Sequence, residues 1–340
     1  MISLLSALVL LCAQTPAPTA PPPAKLDQAT RLAVDKALAW LASKQEPDGS
    51  WSDAEHRHST AICSFAVLAF LSDGHLPGRG KHGETVLKAA RFLAASANPV
   101  NGCLVGSRGA HGRDMYCHGM ATLALGQLWG TGGQALDDAI RPVLERAVLL
   151  ILQSQNLQGG WRYLPTPNDA DISATVMQVM ALRAARNSGL HVPDQVMDKA
   201  IAYISSCRDP KTGGYSYQPK QNAPEFARTA AGICVLHLCA RHAADEIPKA
   251  VQYLESRFDS KHHFFYGHYY ASHAMHQVGG KSWENWYKRL VNKLLPEQAP
   301  DGSWPKNGKL DTSSPGPVYQ TAIAVIALAV PQQFVPIYQR

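Results

Sequence analysis

The sequence predicts an all-α fold, an (α/α)6 toroid in which six outer helices surround six inner helices in two concentric rings. Two observations predict it. A repeat of about fifty residues runs through most of the chain, and each repeat pairs a one-faced amphipathic segment with a segment that is apolar nearly all round. A helix without a polar face has to be buried on every side, and continuous inner hydrophobicity favours a closed ring over an open solenoid.

The repeat is most complete in three places, where a glutamine is followed four residues later by a Gly-x-Trp turn. Degenerate copies fill the intervals, so that units begin at positions 36, 88, 146, 199, 249 and 289. The glutamine can hydrogen-bond at a helix end while the tryptophan covers the turn, which is a structural role and not a catalytic one. The three pairs are Gln45 with Trp51, Gln155 with Trp161, and Gln298 with Trp304.

Each unit contains an outer and an inner helix. In the first unit Val34, Leu38 and Leu41 recur at helical spacing and leave a polar face, as expected of an outer helix. The inner segments follow the turns and are rich in small residues, and proline, glycine and Asp-Gly mark the junctions. The clearest inner segments are Ala61–Leu71, Met120–Leu128, Ala174–Ala185, Ala230–Ala240 and Thr321–Val330.

Residues 1–24 are predicted to be a signal peptide followed by a proline-rich spacer. The apolar run Ile2–Ala13 has the length of a signal-peptide core and is too short for a transmembrane helix. Thr15–Ala24 carries five prolines and is expected to be extended. We therefore expect an exported, extracytoplasmic protein, either periplasmic or held at a membrane by an uncleaved N-terminus, with the toroid at 25–340.

Composition excludes several other classes of protein. Of 340 residues, 46% are hydrophobic and 17% are charged, so the chain can bury a large core and is not expected to be disordered. The net charge of +6 comes from scattered lysines and arginines, without the basic stripe or motif of a nucleic-acid-binding protein. The six cysteines after Cys12 include no CxxC and are expected to be buried thiols.

The repeat pattern resembles the QW repeat of squalene and oxidosqualene cyclases, whose toroid fold is shared with the β subunits of protein prenyltransferases. The resemblance covers almost everything from about residue 26 onward. It implies the same toroid fold. In such a fold the inner helices converge on a central funnel, so their first turns are the natural place for a site.

The segment Asp169–Thr175, at the start of the third inner helix, resembles the Asp-x-Asp-Asp-Thr-Ala motif of the cyclases. There the middle aspartate protonates an alkene or an epoxide, so the resemblance implies that Asp171 is a general acid with Asp169 as its neighbour. Ile172 stands in place of the last aspartate and Ser173 in place of threonine. The residues alone also fit a structural role, in which Asn168 or Asp169 caps the helix and Asp171, in the first turn, interacts favourably with the positive end of the helix dipole.

The same segment can be compared with the zinc-dependent prenyltransferases, in which an Asp-x-Cys pair and a later histidine bind the metal. Here Ser173 replaces the cysteine, and neutral serine is a poor zinc ligand. His268, His273 and His276 share a helix but have no carboxylate at helical spacing among them. A zinc-dependent transferase is therefore the weakest alternative, and no metal and no cofactor is expected.

Polar and aromatic residues recur where inner helices begin. Tyr116-Cys117-His118 and Tyr266-Gly267-His268 occupy equivalent positions in two repeats, as residues of a ligand-binding mouth would. Arg228 is expected either to clamp an anion or to pair with Glu225. The expected ligand-binding residues are Tyr116, His118, Thr175, Arg228, His268, Tyr269 and Tyr319.

Size separates this chain from its relatives. Triterpene cyclases place their cavity between two toroidal domains, and prenyltransferase β subunits work with a helical partner, whereas this chain has material for one toroid. We therefore expect a diverged member that binds an apolar small molecule, a lipid or a peptide in its central funnel, with a protein partner as a further option. The alternative is an isoprenoid cyclase with Asp171 as its general acid.

Overall fold

The computed structural model describes residues 21–54, 56–106, 112–307 and 309–339, and within these ranges all regular structure is helical. Backbone bridges there occur only as isolated pairs. The α-helices are α1 Gln28–Ser43, α2 Thr60–Ser72, α3 Gly83–Ala95, α4 Asp114–Leu128, α5 Gln134–Ser154, α6 Ile172–Asn187, α7 Asp194–Ser206, α8 Phe226–Leu238, α9 Ile247–Ser256, α10 Phe264–Val278, α11 Gly280–Leu294 and α12 Pro317–Ala329. Single 3-10 turns lie at Leu295–Glu297, Val330–Gln332 and Pro336–Tyr338.

The even-numbered helices form the inner ring. Each of them packs against the next in chain order, and α12 returns to pack against α2, so the ring is closed. The odd-numbered helices pack on this ring from outside, as α3 does against α2 and α4, and α7 against α6 and α8. The all-α toroid that the sequence predicts is confirmed.

Burial separates the two layers. The inner helix α2 buries every residue except Ala61. The outer helix α11 buries one stripe, formed by Trp283, Trp286, Leu290 and Leu294, and leaves its other faces to solvent. The helix that is apolar on all sides therefore lies in the inner ring, and the amphipathic helix lies in the outer ring, as their sequence patterns predict.

The inner helices begin earlier than their apolar segments indicate. α4 begins at Asp114 and α8 at Phe226, each several residues before its apolar segment. These first turns mix polar and charged side chains with apolar ones, so a search for continuous apolar segments leaves them out. They are also the turns that meet at one end of the toroid.

The Gly-x-Trp turns fasten each outer helix to the turn that follows it. The three tryptophans are almost completely buried, and each indole Nε1–H donates to the backbone carbonyl ten residues earlier, at 2.8 Å. An indole has one donor, and burying it without a partner would cost stability. The pairs are Trp51 with Leu41, Trp161 with Ile151, and Trp304 with Leu294.

The glutamine of each turn connects neighbouring repeats. Its Nε2 donates to the carbonyl of the turn glycine and to a carbonyl in the next outer helix. The second acceptors are Thr85 in α3 for Gln45, Val196 in α7 for Gln155, and Ala33 in α1 for Gln298. The last contact joins the final turn to the first helix and so closes the outer layer.

The chain after α12 crosses the bore of the ring. The Ile337 N–H donates to Oε1 of Gln127, near the end of α4, at 3.2 Å. Nε2 of Gln277, near the end of α10, donates to the Tyr338 carbonyl at 2.6 Å. Because α4 and α10 lie on opposite sides of the ring, these two residues span the bore at the end where the inner helices finish.

The predicted signal peptide falls mostly on residues 1–20, which lie outside the described ranges. Pro21–Ala24 has no regular secondary structure, and the Ala24 N–H donates to the Pro331 carbonyl at 2.8 Å. In the part of the chain that the structure describes, no helix is long and apolar enough to cross a membrane. The described cysteines are free thiols, of which Cys117 and Cys239 are partly exposed and the others buried.

Candidate functional site

The first turns of the inner helices meet at one end of the toroid, where those of α4, α6, α10 and α12 are held by the turn that precedes the next inner helix in the ring. The Met115 N–H donates to the Tyr163 carbonyl at 2.9 Å, and the Ile172 N–H donates to the Tyr217 carbonyl at 3.0 Å. In α10 and α12 the acceptor is a carboxylate instead of a backbone carbonyl. The Phe265 N–H donates to Asp311, and the Tyr319 N–H donates to Asp53 at 2.7 Å.

Asp171 occupies the N-cap position of α6. Its backbone is extended, its Oδ1 accepts from the Ala174 N–H at 2.9 Å, and its side chain is completely buried. The Asp171 N–H also donates to the Trp161 carbonyl at 3.0 Å, so the Gly-x-Trp turn fixes its position. The cap is therefore Asp171 and not Asn168 or Asp169 as the sequence suggests, because the helix begins only at Ile172.

The second carboxylate oxygen of Asp171 is unpaired. Oδ2 has no hydrogen-bond partner among the described residues and lies 3.7 Å from Nε of Arg162. Burial raises the pKa of Asp171 above its ordinary value, while the Ala174 amide, the nearby Tyr217 hydroxyl and the Arg162 charge oppose that rise. Asp171 therefore keeps its proton more readily than an aspartic acid in water.

Asp169 does not form a carboxyl pair with Asp171. It is exposed, and its Oδ2 accepts from Arg162, while its Oδ1 accepts from Gln218 at 3.2 Å. Arg162 thus faces both carboxylates. Two carboxylates that face one guanidinium form a different arrangement from two carboxyl groups that share one proton.

Four tyrosines surround Asp171, and we call Tyr116, Tyr163, Tyr217 and Tyr266 the mouth. The Tyr163 and Tyr217 hydroxyls hydrogen-bond to each other, and the rings of Tyr116 and Tyr163 are 5.7 Å apart. Burial raises the pKa of Tyr116, Tyr217 and Tyr266, and the negative charge of Asp171 adds to the rise in each of them. A buried carboxyl group enclosed by aromatic rings can interact with a cation or with a polarised apolar ligand.

Arginines stack on two of these tyrosines in an alternating row, which we call the rim: Arg113, Tyr163, Arg162, Tyr217 and Arg228. The guanidinium carbon of Arg113 lies 5.9 Å from the centre of the Tyr163 ring, and that of Arg162 lies 5.0 Å from Tyr163 and 5.6 Å from Tyr217. Arg228 lies 5.1 Å from Tyr217. These are cation–π contacts, and they hold the three guanidinium planes along one edge of the mouth.

Arg228 makes the pairing contact that was one of its two expected roles. Its NH2 lies 3.3 Å from Oε1 of Glu225, and its NH1 donates to the Ala223 carbonyl at 3.2 Å. The stacking on Tyr217 comes in addition to this pair. Arg228 is therefore a fixed part of the rim and not a free side chain.

Three of the expected ligand-binding residues lie toward the outer layer instead of the mouth. His118 accepts from the Leu104 N–H at Nδ1, at 3.0 Å, and its Nε2 lies 3.1 Å from the Ala147 carbonyl. Thr175 accepts from the Trp161 N–H at 3.0 Å. Nε2 of His268 lies 3.1 Å from a backbone carbonyl, and its ring is enclosed by Phe226, Phe258, Phe264 and Trp286. Each side chain is buried and supports the turn before its own helix.

The remaining two, Tyr269 and Tyr319, lie inside the bore below the mouth. Both rings pack edge-on against Phe65 of α2, at 5.3 and 5.2 Å between centres. The Tyr269 hydroxyl also hydrogen-bonds to the Tyr338 hydroxyl at 2.6 Å. Aromatic rings from α2, α10, α12 and the last described residues therefore fill this part of the bore.

Sequence reasoning missed Arg113, Arg162, Tyr163 and Tyr217. A signal for the two tyrosines is present in the repeat. Tyr163 lies two residues after Trp161, and Tyr217 lies two residues after Tyr215, the equivalent aromatic residue of the next repeat. That offset places a side chain at the mouth, and comparing it between repeats would have found both.

Metal-ligating groups do not cluster in the described ranges: no set of three or more histidine, cysteine, aspartate or glutamate side chains there has the geometry to hold a metal ion.

Several solved structures share the toroid at low sequence identity. A substituted form of the type II terpene cyclase MstE from Scytonema, in complex with geranylgeranyl dihydroxybenzoate, aligns with a TM-score of 0.59 and 15% identity over 90% of this chain and 98% of that chain. A protein from Actinoplanes aligns with a TM-score of 0.60 and 14% identity over 89% and 99%. A substituted form of Rex8A from Paenibacillus barcinonensis, complexed with an arabinofuranosyl-xylotetraose, gives 0.56 and 10% over 93% and 97%. Identities this low show a shared fold and nothing about the ligand.

No curated protein sequence matches this chain. The family model of the prenyltransferase alpha-alpha toroid domain matches it over residues 1–162 and again over 115–273. These two matches together span well over half of the sequence, and they agree with the closed ring of helices. The chain therefore belongs to the prenyltransferase alpha-alpha toroid domain family, within the superfamily of cyclases and prenyltransferases that its repeats resemble.

Proposed function

We propose that this chain is a ligand-binding toroid whose mouth takes an amphipathic molecule, with an apolar, prenyl-type portion on the tyrosines and an anionic head on the rim. The observation that carries the proposal is the rim itself, in which three arginines are stacked beside the tyrosines that surround a buried carboxyl group. The ligand class is narrower than the apolar molecule, lipid or peptide that the sequence suggests.

The rim retains positive charge. Arg162 faces Asp169, and Arg228 faces Glu225, whereas Arg113 has no carboxylate within ion-pair distance among the described residues. Stacking on a ring occupies the face of a guanidinium and leaves its N–H edge available for an anion. A carboxylate or phosphate head can therefore gain charge-assisted hydrogen bonds at Arg113.

The filled bore favours binding at the mouth over deep enclosure. Tyr269 and Tyr319 both pack against Phe65 below the mouth, so a long apolar chain meets packed aromatic rings there. The fold-sharing cyclase MstE is solved with geranylgeranyl dihydroxybenzoate, which joins a prenyl chain to an aromatic acid. That combination of a prenyl chain with an acid is the ligand class proposed here for the mouth.

Binding can be tested with two probes that differ only in their heads, geranylgeranoic acid and geranylgeraniol, by native mass spectrometry and by titration. We expect the acid to bind at least about tenfold more tightly, which corresponds to about 1.4 kcal/mol. Arg113→Gln should remove that preference. Arg146→Gln, at an exposed arginine of the outer helix α5, should keep it. Equal binding of both probes, or a preference that survives in Arg113→Gln, would contradict the proposal.

A second candidate function is isoprenoid cyclisation with Asp171 as the general acid. The observation that favours it is the buried, unpaired Oδ2 with its raised pKa, because a proton donor needs a free oxygen that stays protonated. The Arg162 charge 3.7 Å away acts in the opposite direction. We therefore place this function second.

Turnover separates the two functions. If the chain is a cyclase, geranylgeraniol should give a cyclic product detectable by gas chromatography and mass spectrometry, and Asp171→Asn should lower the rate by about 100-fold or more. Asp169→Asn, at an exposed carboxylate, serves as the control. Full turnover by Asp171→Asn with an unchanged circular dichroism spectrum would eliminate Asp171 as the acid.

Export is proposed on the sequence of residues 1–24 alone. Expression of the full chain and N-terminal sequencing of the product in the extracytoplasmic fraction test it. A protein that stays in the cytoplasm with Met1 intact would contradict export.

A further inference from the structure

The Tyr338 ring occupies a site that recognises each part of it. The ring is buried and lies flat on the imidazole of His273, with 3.4 Å between centres and 6° between planes. Its hydroxyl bonds to that of Tyr269 at 2.6 Å, and the Tyr269 ring stands nearly perpendicular to it. His273 stacks on the face of the ring, and Tyr269 contacts its edge and its hydroxyl. These contacts favour a phenol over an aliphatic side chain.

The walls of this site hold polar atoms that the Tyr338 ring does not satisfy. Neither ring nitrogen of His273 has a hydrogen-bond partner among the described residues. The His273 side chain is more than nine-tenths buried. A buried polar group without a hydrogen-bond partner lowers the stability of the folded state. If the Tyr338 ring left the site, water could hydrogen-bond to the His273 imidazole.

The segment that carries Tyr338, residues 333–339, has few hydrogen bonds to the ring of helices. It contains one 3-10 turn, Pro336–Tyr338, and buries Val335 and Ile337, while Phe334 is 52% exposed. Apart from bonds within the segment and to the turn before it, its backbone is held by the side chains of Gln127 and Gln277, and the Gln333 side chain lies 3.3 Å from Nδ1 of His276. Such a segment can open without unfolding the ring, because few bonds join it to the inner helices.

We propose that the bore contains a binding site for a small phenol, formed by His273, Tyr269 and Gln277, and that the chain fills this site with its own Tyr338 as a removable plug. A free phenol, or a phenolic group on a larger ligand, would bind there when the plug is out. The proposal concerns the end of the bore opposite the mouth and does not depend on the function proposed above.

The site can be tested by chemical rescue in the full chain. Tyr338→Ala should leave a cavity that p-cresol, the side chain of tyrosine, fills, raising the melting temperature of the variant by about 3 °C or more at saturation. Wild type and Tyr338→Phe, whose rings still occupy the site, should not respond. Phe334→Ala, at an exposed position of the same segment, is the matched control and should not respond either.

Cyclohexanol, which is similar in size but not planar, should rescue Tyr338→Ala less than p-cresol does. The proposal is wrong if p-cresol shifts wild type and Tyr338→Ala equally, or if it shifts neither. If the two probes raised the melting temperature of Tyr338→Ala equally, the cavity would have no preference for a phenol, and the proposal would also be wrong.

Removal of the plug can be measured in the wild-type protein, so the test does not depend on whether Tyr338→Ala folds. Native-state hydrogen exchange should show the Tyr338 and Gln339 amides exchanging at denaturant concentrations at which α10 stays protected. If these amides exchange only when α10 does, the segment opens only by global unfolding and Tyr338 is a fixed part of the core.

Discussion

At the scale of single residues, Asp171 combines two properties in one carboxyl group. Oδ1 caps α6 through the Ala174 N–H, while Oδ2 is buried, accepts no hydrogen bond and lies 3.7 Å from Nε of Arg162. Asparagine keeps a capping oxygen and removes the acid, whereas alanine removes both. The two substitutions therefore separate the contribution of the cap from that of the proton.

We expect Asp171→Ala to lower the free energy of unfolding by about 1–2 kcal/mol, since it deletes an N-cap, and Asp171→Asn to lower it by less. Urea denaturation measures both. Asp169→Ala, at an exposed ion pair, should change it by about 1 kcal/mol or less. Equal losses for Ala and Asn at position 171 would argue against the capping role.

His118 makes stability depend on pH. Burial lowers the pKa of His118 to about 4, and its Nδ1 accepts the Leu104 N–H, so protonation would break that bond. The unfolded chain takes up this proton near pH 6.5, before the folded protein does. The stabilising contribution of His118 is therefore complete above pH 6.5 and is lost as the pH falls toward 4.

Urea denaturation at pH 7 and pH 4 should show a loss of about 3 kcal/mol from His118 alone. In His118→Gln the loss over this interval should be smaller by that amount. His191→Gln, at an exposed histidine, should leave the pH dependence unchanged. A His118→Gln variant with the wild-type pH dependence would show that another group is responsible.

At the scale of the elements, the turn glycines set the spacing between repeats. Gly49 has φ +90°, and a Cβ there would lie 2.4 Å from the Lys88 carbonyl oxygen at the next outer helix. Gly159 and Gly302 make the same close approach to Lys199 and Lys36. The glycine is thus required both for its backbone conformation and for the closeness of the next helix.

Gly49→Ala should therefore destabilise the protein by at least about 2 kcal/mol more than Gly78→Ala, because overpacking adds to the backbone strain. Gly78 also has a positive φ, of +68°, but has open space where its Cβ would be. Thermal and urea unfolding of the two variants measure the difference. Similar losses in both would mean that the turn can shift away from α3.

At the scale of the whole molecule, closure of the ring rests on contacts between the two ends of the sequence. α12 packs against α1 and α2, and Gln298 donates to the Ala33 carbonyl of α1 at 2.8 Å. Gln155 makes the equivalent bond to Val196 of α7 within the ring. The two glutamines thus make the same local contact, and only the one at 298 joins the first repeat to the last.

We expect Gln155→Ala and Gln298→Ala each to cost about 1 kcal/mol for the lost hydrogen bonds. Hydrogen exchange should distinguish them, since only Gln298→Ala should lower the protection of α1 well below that of the other outer helices. Equal protection of α1 in the two variants would show that closure is carried by helix packing alone.

The repeat determined most of the fold in advance. Trp51 and Gln45 predict a turn fastened to helices on either side, and the all-round apolar segments predict an inner ring, because both properties follow from local spacing. The site was only partly predictable. Tyr116 and Asp171, which the sequence predicts as site residues, lie at the mouth. His118 and His268 also lie near the starts of inner helices, but their side chains contact the backbone of the turn before their own helix.

By itself, the sequence determined the helical class and the alternation of inner and outer helices, since both depend on residues close together in the chain. It placed the cap of α6 two or three residues too early, at Asn168 or Asp169, whereas the structure has it at Asp171. Only the tertiary structure decided which polar side chains face the mouth, because Arg113, Arg162 and Arg228 are brought together by three different repeats. It also decided that Tyr338 fills the bore. That contact joins residues 69 positions apart, and no local pattern in the sequence specifies it.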